Sequence, residues 1–522
     1  MDKVFIYVTI AVYLIFMLAI GIINNKNTKS ISTFTIGKRN AGAWISALSY
    51  GTAYFSAVMF IGYSGNSGWN FGLWAVLVGI GNAIFGSLLA WLILANRTRD
   101  VSRRLEVKSM PQFFEKRYLS KRMKLFSAVV IFIFLIPYSA SVYKGLSSVC
   151  SVVLDIDVNL CMILIALASM VVLILGGYMA TLKADFVQGF IIAVGVVFLI
   201  VFVLRADAVQ SAGGISGLVD YMQNSGLFAM NSSKWIMLLS TVLMTSFGTW
   251  GLPQMIHKYY GIKDKQEVKR ATIISTLFAL LVAGGGYFIG SFSHLFFGET
   301  LPSGGIDYVV PNMLKIANIP AVLLGIILVL LISASVSTLS SIALTASSVC
   351  SMDIIKDRKP HISDKELPVI TKVICALFVI CSYVVANTDT PILDMMSYSW
   401  GIISGSFLAP YFLALYFKRL NKIGAWSGMI TGFVTAVIPA LSKIILIIAG
   451  GSMGGSFGEF ITKLAGYGPV FAVVAMLLSI AVCIVVSLLT QKKDDANNYS
   501  YFYTEDIEKE KAKELSTESE NI

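Results

Sequence analysis

Ser333-Ala-Ser-Val-Ser-Thr-Leu-Ser-Ser341 puts six hydroxyls into nine residues of a long apolar segment. Lipid offers no hydrogen bonds, so a spanning helix this rich in hydroxyls has something polar to face or a close neighbour to pack on. On a helix, Ala334, Ser337, Thr338 and Ser341 follow i, i+3, i+4, i+7 spacing and share one face. A stripe of neutral oxygens at membrane depth suits a small hard cation such as Na+, which prefers oxygen ligands. The same stripe suits close helix packing through small residues. Taken alone, the segment leaves both readings open.

The rest of the chain supplies the context. Of its 522 residues, 56% are hydrophobic and 13% charged. Apolar runs of about 20 residues, each enough to cross ~30 Å of hydrocarbon, recur along its length and predict an all-α polytopic membrane protein. Spans are expected near 4–23, 41–66, 72–95, 124–154, 158–176, 184–205, 235–256, 272–297, 320–350, 369–388, 393–417, 423–450 and 466–490, about thirteen in all. The first is too long for a signal-peptide core and lacks a small-residue cleavage site, so it is expected to be retained.

Charge sets the expected topology. With the N-terminus outside, the cytoplasmic segments 24–40, 96–124, 177–184, 257–271, 351–373, 418–422 and the tail after 490 hold 33 of the 40 Lys and Arg. That asymmetry follows the positive-inside rule, and an odd number of spans agrees with it. The net charge of +11 is therefore a topological signal rather than a nucleic-acid footprint. Its densest stretch, Arg97 to Lys124, contains amphipathic turns at Met110-Pro-Gln-Phe-Phe-Glu-Lys-Arg117, expected to lie along anionic headgroups. The expected location is the cell membrane, multi-pass, with a cytoplasmic, disordered C-terminal tail.

All six cysteines lie in or beside apolar spans with no CxxC pair, and the three histidines are far apart. Without a metal motif or paired intramembrane carboxylates, no enzyme activity is expected.

Two spans carry residues that interrupt a helix. One contains Ser49-Tyr-Gly-Thr-Ala-Tyr-Phe-Ser56, followed by Gly62 and Gly65; the other contains Thr245-Ser-Phe-Gly-Thr-Trp-Gly-Leu-Pro253. A helix that unwinds at mid-depth exposes carbonyls, which is tolerable where they line a cavity or bind an ion. A Pro/Gly kink without a ligand is the rival reading. The two segments open successive five-span sets, 41–205 and 206–417, and such paired interruptions point to an inverted-repeat transporter with a central site. Segment 1–40 would add an N-terminal helix and cytoplasmic loop, 418–490 two C-terminal helices, and 491–522 the tail.

Four stretches resemble the sodium:solute symporter family, which includes sodium/proline, sodium/galactose, sodium/pantothenate and sodium/sialic acid symporters. Ala47 to Gly65 resembles the family's broken first core helix. Gly176-Gly-Tyr-Met-Ala-Thr-Leu-Lys-Ala-Asp-Phe-Val-Gln188 resembles its GG…D..Q turn. Ala334 to Ser341, continuing to Lys356, resembles its sodium-binding eighth core helix. Lys418-Arg-Leu-Asn-Lys-Ile-Gly-Ala-Trp-Ser-Gly428, ending in Gly432, resembles its KR…GA..G signature.

That resemblance implies a LeuT-type 5+5 inverted repeat and inward Na+ movement coupled to solute uptake by alternating access. It implies a main sodium site of Thr52 and Phe55 carbonyls, the Ala334 carbonyl, and the Ser337 and Thr338 hydroxyls. A second sodium site in some members would correspond to Asp185, Ser340 and Ser341, with Ser337 shared. The family's substrate positions fall on Ser56, Met59, Tyr138, Ser246, Thr249 and Ser397. Met59 and Ser246 depart from the amide-rich pattern of galactose-type members, and Thr245 and Thr249 from the aromatic pattern of proline-type members. An amino acid or organic acid is therefore expected ahead of a sugar. Lys144, an intramembrane cation, either pairs with a solute carboxylate or snorkels to the external interface. The expected partners are a small solute and the bilayer, with no nucleic acid and no obligate protein partner. A transporter-like sensor without net flux and a proton-coupled symporter are the alternatives.

Overall fold

The structure is a computed structural model that describes residues 3–24, 39–317, 319–363, 366–450 and 453–490, with the backbone only at residues 3, 21, 24 and 171–180. The expected tail at 491–522 and most of the expected loop at 24–40 lie outside the described residues, as do the side chains of Gly176 to Ala180.

Helices make up the regular structure of the described residues. Eight are long and apolar enough to cross a membrane, and the bent pair Ser232–Trp250 and Pro253–Tyr260, which turns by 42°, makes up to nine when counted as one broken span. The four further segments that bring the expected number to about thirteen are helical too. They lie in Lys3–Asn24, Ala43–Tyr54, the first half of Val158–Arg205, and Ile392–Tyr416. Helix starts are marked by side chains that accept an otherwise orphaned backbone N–H: Ser109, Ser120, Asp157, Asn231, Asp264 and Asn421. Large apolar residues such as Val4, Ile23, Val373 and Leu489 are left on the outside, as a lipid-facing surface requires.

Two expectations change. The turn expected at 177–184 keeps helical backbone, so Val158–Arg205 runs on without a gap over 48 residues. The run doubles back rather than forming one straight rod, since Leu167, Ala168 and Gln188, about 30 Å apart on a straight helix, all meet Tyr13. No proline interrupts it, and Met, Ala, Leu and Lys in this stretch favour helix. Both of its halves border the first helix: Leu167 and Ala168 line a cavity with Tyr13 and Met17, and Gln188 donates to the Tyr13 hydroxyl at 2.7 Å. The amphipathic turn Met110–Tyr118 does not present its apolar face to headgroups. Phe113, Phe114 and Tyr118 are buried, with Phe113 4.6 Å from the Tyr411 ring and the Tyr118 hydroxyl donating to the Pro410 carbonyl at 2.5 Å. Its aromatic face is satisfied by protein.

The KR…GA..G stretch acts as a packing face. Gly424, Gly428 and Gly432 recur every four residues on Lys422–Ile448, and a Cβ at each would strike a facing helix, Gly468–Thr490 or Ile392–Tyr416. At Gly432 that atom would lie 1.9 Å from the Gly405 carbonyl oxygen, and at Gly428 2.1 Å from Cys483 Sγ. Small residues let these helices approach to backbone contact, the main attraction available between helices in lipid. Gly432→Leu should therefore cost about 1–3 kcal/mol through overpacking. Gly466→Ala, with nothing within 4 Å of the added carbon, should leave the melting temperature of the purified protein unchanged.

Candidate ion and solute site

The helix Ala43–Tyr54 ends at Phe55 (φ −105°, ψ 105°), and helix resumes beyond Ser56 with a π-helical stretch, Val58–Tyr63. The break therefore falls at Phe55–Ser56, at the end of the interrupting stretch Ser49–Ser56. It redirects the local hydrogen bonds. Met59 N–H donates to the Ser56 carbonyl at 3.0 Å rather than to Phe55, and the Thr52 carbonyl accepts from the Thr338 hydroxyl at 2.9 Å. The second break follows Phe247 as a short 3-10 turn, Gly248–Trp250, before Pro253 opens the next helix. Pro253 has no N–H to lose at that first position.

The hydroxyl-rich segment lies within the helix Ala321–Val349, which is buried without interruption from Ile327 through Val349. Its Thr338 hydroxyl also lies 3.0 Å from the Ala334 carbonyl. Thr52 O, Ala334 O and Thr338 Oγ1 thus converge, all on fully buried residues. Phe55 supplies the adjoining unwound backbone. Ser337 turns instead to Asp185, donating to Oδ1 at 2.5 Å.

Asp185 is the centre of a second cluster that includes a residue not singled out from sequence. The Lys258 ammonium donates to Asp185 Oδ2 at 3.1 Å, Ser49 Oγ at 2.8 Å and Ser341 Oγ at 3.1 Å. Ser49 donates in turn to Asp185 Oδ2. Both ions are withdrawn from solvent, with side-chain exposures of 4% for Lys258 and 0% for Asp185. Ser340 is buried, and its hydroxyl has no hydrogen-bond partner among the described residues. Charge counting puts Lys258 in a cytoplasmic loop; it lies one helix beyond the second break, on Pro253–Tyr260.

The solute positions divide. Ser56 Oγ accepts from Val58 N–H at 3.2 Å, and Met59 Sδ packs over Gly286. Ser246 Oγ donates to Asn82 Oδ1 at 3.1 Å, beside Thr245, which donates to the same atom at 2.8 Å. Thr249 donates to the Ser246 carbonyl at 2.8 Å. Tyr138 meets Trp400 edge to face at 5.6 Å, and the Tyr138 hydroxyl and Trp400 indole N–H have no hydrogen-bond partner beyond each other among the described residues. Tyr54 joins them, its ring 6.0 Å from Trp400 and its hydroxyl 2.6 Å from the Thr245 carbonyl. The two breaks are thus linked across an aromatic and hydroxyl-lined centre, closed further by Ser404 donating to the Gly248 carbonyl.

Lys144 and Ser397 stand outside that centre. The Lys144 ammonium donates to the Thr388 and Thr390 carbonyls at 3.1 and 2.9 Å, in the loop before Ile392. Ser397 packs against Gly468, and its hydroxyl donates to the Asp394 carbonyl at 2.9 Å. Asn82, Tyr54 and Trp400 are the residues that sequence reading misses. Asn82 is a lone amide in an apolar span, a signal available in the sequence; the two aromatics look like ordinary lipid-span residues. A cavity of about 250 Å³ opens beside Asn66, Asn70, Lys234 and Asp394. Towards Lys258 the spaces are only about 10 Å³, roughly the room of one water.

The model of the Sodium:solute symporter family matches residues 34–432. The osmoregulated proline transporter OpuE of Bacillus subtilis (strain 168) is 27% identical over 444 residues, 83% of this chain and 88% of the relative. A sodium/proline symporter of Haemophilus influenzae is 25% identical over 450 residues, again 83% and 88% of the two chains. Among solved structures, a Na+-coupled sialic acid symporter in a substrate-bound outward-open state aligns with a TM-score of 0.73 at 18% identity, covering 93% of this chain and 98% of that one. At that identity the likeness speaks to the fold.

Proposed function

The chain belongs to the sodium:solute symporter family, and we propose that it imports a small amino or imino acid with Na+ through the centre between its two broken helices. It is a multi-pass membrane transporter whose co-transported ion is sodium. The observation that carries the ion site is the Thr338 hydroxyl within hydrogen-bond distance of both the Thr52 and Ala334 carbonyls. Two carbonyls and a hydroxyl are neutral, hard oxygen donors. On Na+ entry the hydroxyl turns its proton aside and offers a lone pair. The Phe55 carbonyl, released from the Met59 N–H, is a fourth donor, and a Ser337 rotation away from Asp185 would bring a fifth.

In this reading the two broken helices head inverted five-helix repeats, the N-terminus is outside, and the cavity beside Asn66 and Asp394 is the external vestibule. Na+ bridges Thr52 to Thr338 and holds the broken helix against the hydroxyl-rich helix. Inward opening separates those helices, the ligand set comes apart, and the ion leaves. Each charge moving down 100 mV supplies about 2.3 kcal/mol, before any concentration gradient.

The solute reading rests on Tyr54, Tyr138 and Trp400 around the Thr249 and Ser246 hydroxyls and the Asn82 amide. The aromatic faces suit a compact apolar body, and the hydroxyl and indole N–H donors suit a carboxylate beside Na+. The proline transporters among its relatives favour the same class. Trp400→Ala should raise the KM for that solute about tenfold or more, the loss of one buried aromatic contact and an N–H donor. Uptake of radiolabelled proline and other small amino acids into proteoliposomes, with Na+ or choline outside, tests the whole reading. Sodium-stimulated accumulation supports it; binding without accumulation would make the protein a sensor, and accumulation driven by a proton gradient in choline would make it proton-coupled.

A further inference from the structure

The second oxygen cluster already contains a cation. Asp185, Ser49, Ser341 and Ser337 form a buried anionic cradle of the kind that would hold a monovalent ion, and the Lys258 ammonium sits in it. Its three N–H donors match the three oxygens Asp185 Oδ2, Ser49 Oγ and Ser341 Oγ, the full capacity of an ammonium group. Asp185 accepts on both oxygens, with Lys258 and Ser49 on one and Ser337 on the other. A buried carboxylate needs a counter-charge, and here the chain itself provides it.

We propose that Lys258 is a tethered substitute for a second Na+, filling the cation position at Asp185 so that transport proceeds with one sodium ion at the Thr52–Thr338 site. The proposal rests on the sodium-symport reading given above. It also assigns the pair a place in the cycle. Lys258 lies on Pro253–Tyr260, beyond the second break, whereas Ser49, Asp185 and Ser341 lie on three other helices. The pair therefore ties the half-helix after the second break to three other helices of the bundle. Directly beneath, Thr181, Gln254, His257 and Thr345 border a cavity of about 10 Å³. The Gln254 side-chain oxygen and nitrogen, both buried, have no hydrogen-bond partner there among the described residues. That polar space is suited to hydrate an ion or the displaced ammonium once the pair parts.

The test is equilibrium binding of radioactive 22Na+ to the purified full-length protein, in the wild type, Lys258→Met and Asp185→Asn/Lys258→Met. The wild type and the double variant should each bind about one Na+, and Lys258→Met about two, because Asp185 then lacks its counter-charge. Two ions in the wild type and one in the double variant would overturn the proposal, since Na+ would then displace the lysine. One ion in both the wild type and Lys258→Met would overturn it as well while leaving the symport reading intact. None in the wild type but one in Lys258→Met would sustain the substitution and remove the main site. If Lys258→Met cannot be purified, the wild type against the double variant still decides: equal stoichiometry supports the proposal and a drop by one contradicts it.

Discussion

Sodium-stimulated uptake should vanish in the Ser337→Ala/Thr338→Ala variant while the protein is still made and inserted. Thr338 Oγ1 is the only side-chain atom in the Thr52–Ala334–Thr338 group, and each of the other donors is a backbone carbonyl that mutation leaves in place. Losing it removes one ligand directly and also unties the broken helix from its partner. Ser337 is included because its hydroxyl is close enough to rotate in as a replacement. A charge-assisted oxygen contact is worth about 1.5–3 kcal/mol, so losing two predicts a rise of at least about a hundredfold in the sodium concentration for half-maximal uptake. At ordinary sodium concentrations that reads as no stimulation. An unchanged sodium response at normal surface expression would remove the proposed site.

The second large effect is on stability. Asp185→Ala leaves the Lys258 ammonium buried beside two serines and no anion. Removing one partner of a buried ion pair costs about 3–5 kcal/mol, because the remaining charge stays uncompensated. The purified variant should melt far below the wild type or fail to emerge as a monodisperse peak. Asp185→Ala/Lys258→Met removes both charges and should recover most of the loss, a coupling that additive effects cannot give. If the double variant is no better than Asp185→Ala, the ion pair is not what holds these four helices together.

Several of these features are legible in the sequence because they obey a period or a local rule. Ala334, Ser337, Thr338 and Ser341 announce one helix face through their spacing, and Pro253 with Gly248 and Gly251 announces a break. Glycine and hydroxyl content places the first break a little early, since Gly51 and Thr52 remain helical and the chain unwinds only at Phe55–Ser56. What spacing does not carry is direction. Ser337 shares a face with Thr338 yet turns to Asp185, a choice set by a helix about 150 positions away in sequence. Lys258 is hidden for a related reason. Counting Lys and Arg by segment treats every cation near a span end as solvated, and an ammonium drawn back into the bundle by a carboxylate looks the same. The Met110–Tyr118 turn defeats the sequence reading because an amphipathic pattern fixes which face is apolar but not whether lipid or protein covers it. Lys144 finds loop carbonyls at Thr388 and Thr390, as its snorkelling alternative allows.

The most direct test of the ion site is the sodium dependence of thermal unfolding for purified wild-type and Thr338→Ala protein, with choline as the control cation. A ligand that binds only the folded state raises stability by about 2.7 kcal/mol at a hundred times its dissociation constant. Sodium should therefore raise the melting temperature of the wild type and leave that of Thr338→Ala nearly where choline leaves it. Equal sodium shifts in both proteins would contradict the account, because the ion would then be held somewhere other than between Thr52 and Thr338.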